Sequence, residues 1–243
     1  MSRRLASPYL RAFAVTAVAA LLATLPGTAT ATARTASEGS VTADELLASV
    51  RHCTRISDGL YRSDESTPAD IPVCGTRDAV FWTADMDIDC DGQYSASCND
   101  ETDPNFQPQT AFAQSDGEYL SSEGLPFVVV PMASELWDFS SSGIRGGSVV
   151  AVVHRGRVLY AVVGDTGPSE IIGEASYAAA ERLGIAPGPE GGGTDSEVTY
   201  IAFRGSEVSP IESHEAAVTL GERLAREFVV RQEGSGDRDE GED

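Results

Sequence analysis

An apolar run leads directly into a polar turn sequence in the stretch Val162-Val163-Gly164-Asp165-Thr166-Gly167-Pro168. The Val-rich part favours a buried strand, and the Gly and Pro residues favour a turn. Turns at the mouth of a barrel or at the edge of a sheet commonly carry functional side chains. The stretch therefore predicts a β fold with the Asp165 carboxylate at a cleft.

A second carboxylate follows nine residues later, in the stretch Ile171-Ile172-Gly173-Glu174-Ala175-Ser176. Apolar residues then recur at helical spacing, which predicts a helix over residues 173–183. Glu174 would begin this helix, where the helix dipole favours an anion. Asp165 and Glu174 could flank a substrate as general acid and general base. An equal alternative is that Asp165 caps the turn and Glu174 caps the helix.

The remaining apolar runs predict a mostly β domain. Strands are expected at 79–83, 127–131, 148–154, 158–164 and 198–204, and further helices at 42–52 and 213–230. The Gly-rich stretch 188–195 lacks the Lys of a phosphate-binding loop and is interpreted as a mobile rim. We expect a linker and short helix over 34–52, a catalytic β-barrel over 53–210, a C-terminal helix over 211–232 and an unstructured acidic tail over 233–243.

Four aspartates alternate with apolar residues in the stretch Ala84-Asp85-Met86-Asp87-Ile88-Asp89-Cys90-Asp91-Gly92. In an extended chain alternate side chains share a face, so the four carboxylates would line one edge and attract a cationic ligand. The spacing also fits the start of a calcium loop, but position 12 is Cys98 instead of the bidentate Glu. We therefore expect no metal. Another kind of ion site and a solvated acidic turn remain alternatives to a ligand groove.

The N-terminus has the three parts of a secretory signal peptide. Arg3, Arg4 and Arg11 precede an apolar run over residues 12–25, and small-residue triplets follow up to Ala33. The apolar run is too short for a spanning helix, so residues 1–33 are expected to be cleaved from a secreted, extracellular product. Of four cysteines in such a product we expect two disulfides. Sequential pairing, Cys53 with Cys74 and Cys90 with Cys98, is preferred among the three pairings that exist.

Charge limits the partners. The chain carries 17 basic and 38 acidic residues, a formal net charge of −21, and every basic residue is an Arg. Nucleic acid and anionic membranes would be repelled by such a surface, so neither is expected as a partner, and a cationic partner fits better. The absence of Lys excludes Schiff-base chemistry through Lys.

In several of the segments quoted above, the chain resembles the chitosanases of glycoside hydrolase family 75. The resemblance covers roughly residues 53–206, and its markers are the Asp-rich stretch 84–92, Pro126-Phe-Val-Val-Val-Pro131, Gly164-Asp-Thr, Gly173-Glu-Ala-Ser176 and Thr199-Tyr-Ile-Ala-Phe203. It implies that Asp165 and Glu174 are the two essential carboxylates, although their connection is shorter than in fungal members. Residues 164–185 are also similar to double-psi β-barrel proteins such as rare lipoprotein A. Together these similarities imply a mostly β fold with flanking helices around a six-stranded double-psi β-barrel.

The resemblance implies an endo-chitosanase that cleaves β-1,4 bonds between glucosamine units with inversion. We also expect a monomer that needs no cofactor. Glu174 is assigned as acid and Asp165 as base, with the reverse assignment open. A non-catalytic, expansin-like wall-binding barrel and a peptidoglycan lytic transglycosylase are the alternatives, because related barrels carry each function. Protonated chitosan would be bound by Asp85, Asp87, Asp89, Asp91 and Tyr94, with Trp82 and Trp137 as further candidate sugar platforms.

Overall fold

A computed structural model describes residues 37–239 of the chain. Its strands are β1 (Cys74–Gly75), β2 (Ala79–Asp89), β3 (Phe127–Pro131), β4 (Val149–His154), β5 (Arg157–Gly167), β6 (Glu174–Ser176) and β7 (Thr194–Phe203). Its helices are α1 (Ala43–Ser49), α2 (Tyr177–Leu183) and α3 (His214–Asp239), with a 3-10 turn at Ser140–Ser142. The predicted signal peptide, residues 1–33, lies outside the described residues.

Six strands close into a barrel. Their order is β2-β6-β3-β5-β4-β7, and β7 pairs back onto β2, while β1 adds to β2 outside this ring. The β2/β6 and β3/β5 pairs are parallel, and the other four pairs are antiparallel. The predicted mostly β fold, with a six-stranded barrel and flanking helices, is thus confirmed.

Alternating side chains divide the apolar residues between two layers. One cluster draws on all six barrel strands and fills the barrel, whereas the other lies between the outer face of the strands and helices α1 and α3. Trp82 and Trp137 belong to the first cluster and are only 1% and 4% exposed. Their interpretation as sugar platforms is therefore wrong, because the barrel interior encloses both rings. No described helix is long and apolar enough to cross a membrane.

Two local predictions around the carboxylates differ from the structure. Asp165 lies inside β5, which continues to Gly167, because pairing with β3 satisfies its backbone beyond a register shift at Val128/Val129. Glu174 lies in β6 and does not begin a helix. The helix begins three residues later because the Ser176 side chain caps it, accepting a hydrogen bond from the Ala179 amide.

The two ends of the described region are also more ordered than expected. Within the predicted linker, the Glu38 amide donates to the Val158 carbonyl, and the Glu38 side chain accepts from the Tyr160 amide. The capping box of Thr42 and Glu45 begins α1 as predicted. At the other end, α3 continues to Asp239 where an unstructured tail was expected, because each residue added to a formed helix gains a backbone hydrogen bond. Both expected disulfides, Cys53–Cys74 and Cys90–Cys98, are formed.

Candidate active site

Four side chains form one row across adjacent strands. Asp87 of β2 is in register with Glu174 of β6, Glu174 with Val129 of β3, and Val129 with Asp165 of β5. Side chains in register on neighbouring strands project from the same face of a sheet. Asp165 and Glu174 are separated by one strand, which puts their Cα atoms about 10 Å apart. The fold therefore brings together the two carboxylates that the sequence predicted.

Asp165 is buried and held by two backbone donors. Its Oδ1 accepts hydrogen bonds from the amide of Ala111, at 2.7 Å, and from the amide of Thr166, at 2.6 Å. Burial raises the pKa of Asp165, and these two hydrogen bonds oppose that rise because they stabilise the carboxylate. The two amides thus fix the position of the Asp165 carboxylate and limit the rise of its pKa that burial causes.

Glu174 is buried among other carboxylates. Burial, and then the nearby charges of Asp87, Asp91 and Asp165, raise the pKa of Glu174 to about 7. Among the described residues no positive side chain lies within ion-pair distance of Glu174. A carboxyl group in such surroundings keeps its proton to near-neutral pH, as a general acid must.

An acidic cleft of 270 Å³ opens beside this row. We call the four aspartates of the stretch 84–92, Asp85, Asp87, Asp89 and Asp91, the ladder. Three of them, Asp87, Asp89 and Asp91, line the cleft together with Glu174. The remaining lining residues were not singled out as site residues by the sequence: Ile88, Cys90, Asp103, Asn105, Pro189 and Gly192. Pro189 and Gly192 belong to the Gly-rich stretch that was interpreted as a rim. Asp103 and Asn105 follow the Cys90–Cys98 disulfide, whose position beside the ladder was the one signal that could have indicated them.

Backbone amides donate hydrogen bonds to two carboxylates of the ladder and so reduce the cost of their mutual repulsion. Asp89 accepts from the amide of Asp91 at 2.7 Å, and Asp91 accepts from the amide of Gln107 at 2.7 Å. Burial raises the pKa of Asp91 to about 6, and burial with the charges of Glu174 and Asp165 raises the pKa of Asp89. Oxygens of Asp89, Asp91 and Asp165 lie within 4.8 Å of one another. In the part of the chain that the structure describes, these are the three residues that could together hold a cation.

Two predicted binding residues lie outside the lining of the cleft. Asp85 packs against Gly173, where a Cβ would lie 2.3 Å from Asp85 Oδ1. This Oδ1 is buried without a hydrogen-bond partner. Burial, and then the charge of Asp87, raise the pKa of Asp85 to about 7. Tyr94 is 61% exposed and packs against Phe106 with ring centroids 4.7 Å apart. Tyr94 thus borders the loop that carries Asp103.

Glu174 lines the acidic cleft, whereas Asp165 does not line it and lies beside Asp89 and Asp91, which do. This arrangement is that of a β-barrel with two carboxyl groups at or beside an acidic cleft, as in a barrel hydrolase. Residues 86–238 match the family model described as fungal chitosanase of glycosyl hydrolase group 75, and the chain belongs to this family. It is 34% identical over 131 residues to endo-chitosanase C of Aspergillus oryzae, covering 52% of this chain and 32% of that protein.

Two further relatives are also named endo-chitosanases. Endo-chitosanase B of Aspergillus oryzae (strain ATCC 42149 / RIB 40) is 32% identical over 136 residues, covering 53% of this chain and 56% of that protein. An endo-chitosanase of Aspergillus fumigatus is 28% identical over 173 residues, covering 65% of this chain and 73% of that protein. The matched part of the chain thus spans between a third and just over half of the first two relatives.

Proposed function

We propose that this chain is an endo-chitosanase that hydrolyses β-1,4 bonds between glucosamine units with inversion. The observation that carries the proposal is the row in which Asp165 and Glu174 flank Val129 on one face of the barrel. Inverting glycosidases need about 6.5–9.5 Å between their two carboxyl groups, so that a water molecule fits beside the sugar. A separation of one intervening strand is compatible with that distance.

The surroundings of the two carboxyl groups favour one division of roles. Glu174, with a pKa of about 7, donates its proton to the glycosidic oxygen as the bond from that oxygen to the anomeric carbon breaks. Asp165, stabilised as a carboxylate by two amides, accepts a proton from a water molecule whose oxygen attacks the anomeric carbon from the opposite face. Val129 of β3 lies between the two residues in the row.

The charge of the cleft supports an amino-sugar polymer as substrate. Five acidic residues line the cleft, and no basic residue within the described range 37–239 does. They are Asp87, Asp89, Asp91, Asp103 and Glu174. Protonated glucosamine units would be concentrated by this field, whereas nucleic acid and anionic membranes would be repelled. The relatives named endo-chitosanase support the same substrate. The two disulfides and the predicted signal peptide support secretion, and we propose a monomer that needs no cofactor.

The test is release of reducing ends by residues 34–243 on soluble chitosan, with chitin, carboxymethyl cellulose and peptidoglycan in parallel. We expect release from chitosan alone. Asp165→Asn and Glu174→Gln should each lower kcat by at least about a hundredfold, because each removes one half of the acid–base pair. The products should have inverted anomeric configuration, measured by NMR during the first turnovers.

Three outcomes would contradict the proposal in different ways. Loss of activity in only one of the two variants would favour transglycosylase chemistry, which needs one carboxylate. Cleavage of peptidoglycan instead of chitosan would reassign the substrate. Tight binding to chitosan without cleavage would identify a binding barrel. As the matched control, Glu181→Gln removes one exposed carboxylate of α2 and should leave kcat unchanged.

A further inference from the structure

A second cavity, of 470 Å³, lies on the outer face of the barrel and shares no lining residue with the acidic cleft. Strand β7, the hairpin between β4 and β5 and helix α1 provide its walls. We call this cavity the distal groove. Its lining residues are Leu47, Val153, Arg155, Gly156, Asp195, Glu197 and Thr199.

Strand β2 connects the distal groove to the acidic cleft. Asp89 and Asp87 line the cleft, and Thr83, on the same face of the strand, is in register with Thr199 of the groove. The hydroxyl groups of Thr83 and Thr199 are hydrogen-bonded at 3.0 Å. From Asp89 to Thr83 the strand rises about 20 Å, a length that several sugar units of one polymer chain span.

Asp195 supplies a carboxylate between the two cavities. It lines the distal groove, and it follows Thr194, which is in register with Met86 of β2. Its charge accordingly contributes to raising the pKa of Asp85 and Asp87. Glu197 continues this acidic surface into the groove. Among the described residues, neither Asp195 nor Glu197 takes part in a salt bridge. Both carboxylates are exposed and remain available to a cationic ligand.

We propose that the distal groove binds further glucosamine units of the same polymer chain that is cleaved between Asp165 and Glu174. This inference rests on the proposed function. The exposed side chain of Leu47 offers an apolar surface to a sugar ring, and Asp195 and Glu197 offer carboxylates to protonated amines. Arg155, at the tip of the β4–β5 hairpin, ends the acidic surface because its guanidinium repels such amines.

The test compares long and short substrates in a variant with both groove carboxylates neutralised. In Asp195→Asn/Glu197→Gln, KM for polymeric chitosan should rise about two- to tenfold, because exposed charge contacts are individually weak. The value of kcat/KM for the shortest oligomer that the unmodified protein cleaves should not change, since that oligomer does not reach the groove. Glu197→Arg should raise KM for the polymer further, because it reverses the charge.

A matched control separates the groove from general charge effects. Glu118→Gln/Glu181→Gln removes the same number of exposed carboxylates, and neither residue lines either cavity. An equal rise of KM in this control, or an equal effect of the groove variant on short and long substrates, would overturn the inference. No change of KM for the polymer in the groove variant would also overturn it.

Binding measurements distinguish this inference from the proposed function. If the unmodified protein binds long chitosan oligomers without cleaving them, the proposed function fails. Weaker binding in the groove variant but not in the control would then still support the distal groove. If the unmodified protein neither binds nor cleaves chitosan, both proposals fail. Isothermal titration with oligomers of increasing length gives this result directly.

Discussion

Gly167 shows at the scale of one residue how the site makes room for its proposed acid. A Cβ at this position would lie 3.1 Å from Glu174 Oε2 and 3.1 Å from Val129 Cγ1. Glycine at the end of β5 thus provides the space in which the Glu174 carboxyl group lies. We expect Gly167→Ala to displace this carboxyl group by a few tenths of an ångström and to lower kcat for chitosan about tenfold or more, because catalysis depends on such positioning.

Stability should respond differently from activity in this variant. The thermal unfolding midpoint of Gly167→Ala should change little, because losing Gly also reduces the conformational entropy of the unfolded chain. Gly188→Ala is the matched control, since the nearest neighbour of its Cβ would be the Glu190 carbonyl oxygen, an ordinary contact at 3.8 Å. A large fall in the unfolding midpoint of Gly167→Ala, or unchanged kcat, would contradict the interpretation of Gly167.

Residue types and short motifs were sufficient to predict that Asp165 and Glu174 lie near each other. Asp165 and Glu174 were predicted from a strand end and from a neighbouring motif, and the structure aligns them in one row. Asp87, Asp89 and Asp91 were predicted from alternation alone, and all three line the cleft. Asp103 could not be predicted in the same way, because its position depends on how an irregular loop folds back over the barrel.

At the scale of elements, the short strand β6 explains why the local prediction around Glu174 was wrong. Residues 173–183 carry a helical pattern, but the first part of this stretch pairs with β2 on one side and β3 on the other. Three residues of strand have no periodicity that a sequence window can detect, and tertiary pairing overrides helix propensity there. Because β6 pairs with both β2 and β3 and completes the barrel, Glu174 lies in the same row as Asp165.

The Cys90–Cys98 disulfide is the element that should connect stability to substrate binding. It closes a loop next to the cleft, and Cys90 itself lines the cleft with Asp89 and Asp91. We expect Cys90→Ser/Cys98→Ser to lower the free energy of unfolding by about 2–3 kcal/mol, because the unfolded chain gains entropy. KM for chitosan should also rise, since the loop that carries Asp103 loses its covalent anchor. Denaturant unfolding and steady-state kinetics measure the two effects.

The other disulfide provides the comparison. Cys74 lies in β1 opposite Phe81, about 26 Å along β2 from Asp89. Removal of Cys53–Cys74 should therefore lower stability by a similar amount and leave KM for chitosan unchanged. Equal changes of KM in both disulfide variants would show that the loop beside the cleft has no particular role in binding.

At the scale of the whole molecule, composition indicated the sign of the ligand charge but not its location. A net charge of −21 is spread over many exposed side chains, and a cationic partner follows from the total alone. Only the closed barrel shows that acidic residues distant in sequence, such as Asp91 and Glu174, line one cleft. Their mutual repulsion is a cost to the folded state, so the same feature that attracts the substrate should also make stability depend on pH.

We expect the stability of the whole protein to fall as the pH rises from 4.5 to 7. Glu174 has a pKa of about 7 in the folded state against an ordinary value of 4.5, and burial raises the pKa of Asp85 to about 7 from 3.8. Between these limits the folded protein keeps protons that the unfolded chain has released, so its free energy of unfolding decreases with rising pH. The stabilising contribution of these protonated groups is fully present below pH 4 and is lost above pH 7.

The measurement that tests this pH dependence is the thermal unfolding midpoint between pH 4.5 and 7 in buffers of constant ionic strength. Glu174→Gln should flatten the dependence because it removes one of the titrating groups, whereas the exposed control Glu181→Gln should reproduce the unmodified profile. A midpoint that rises between pH 4.5 and 7, or a Glu174→Gln profile with the original slope, would mean that the carboxyl groups of the cleft are ionised in the folded protein well below neutral pH.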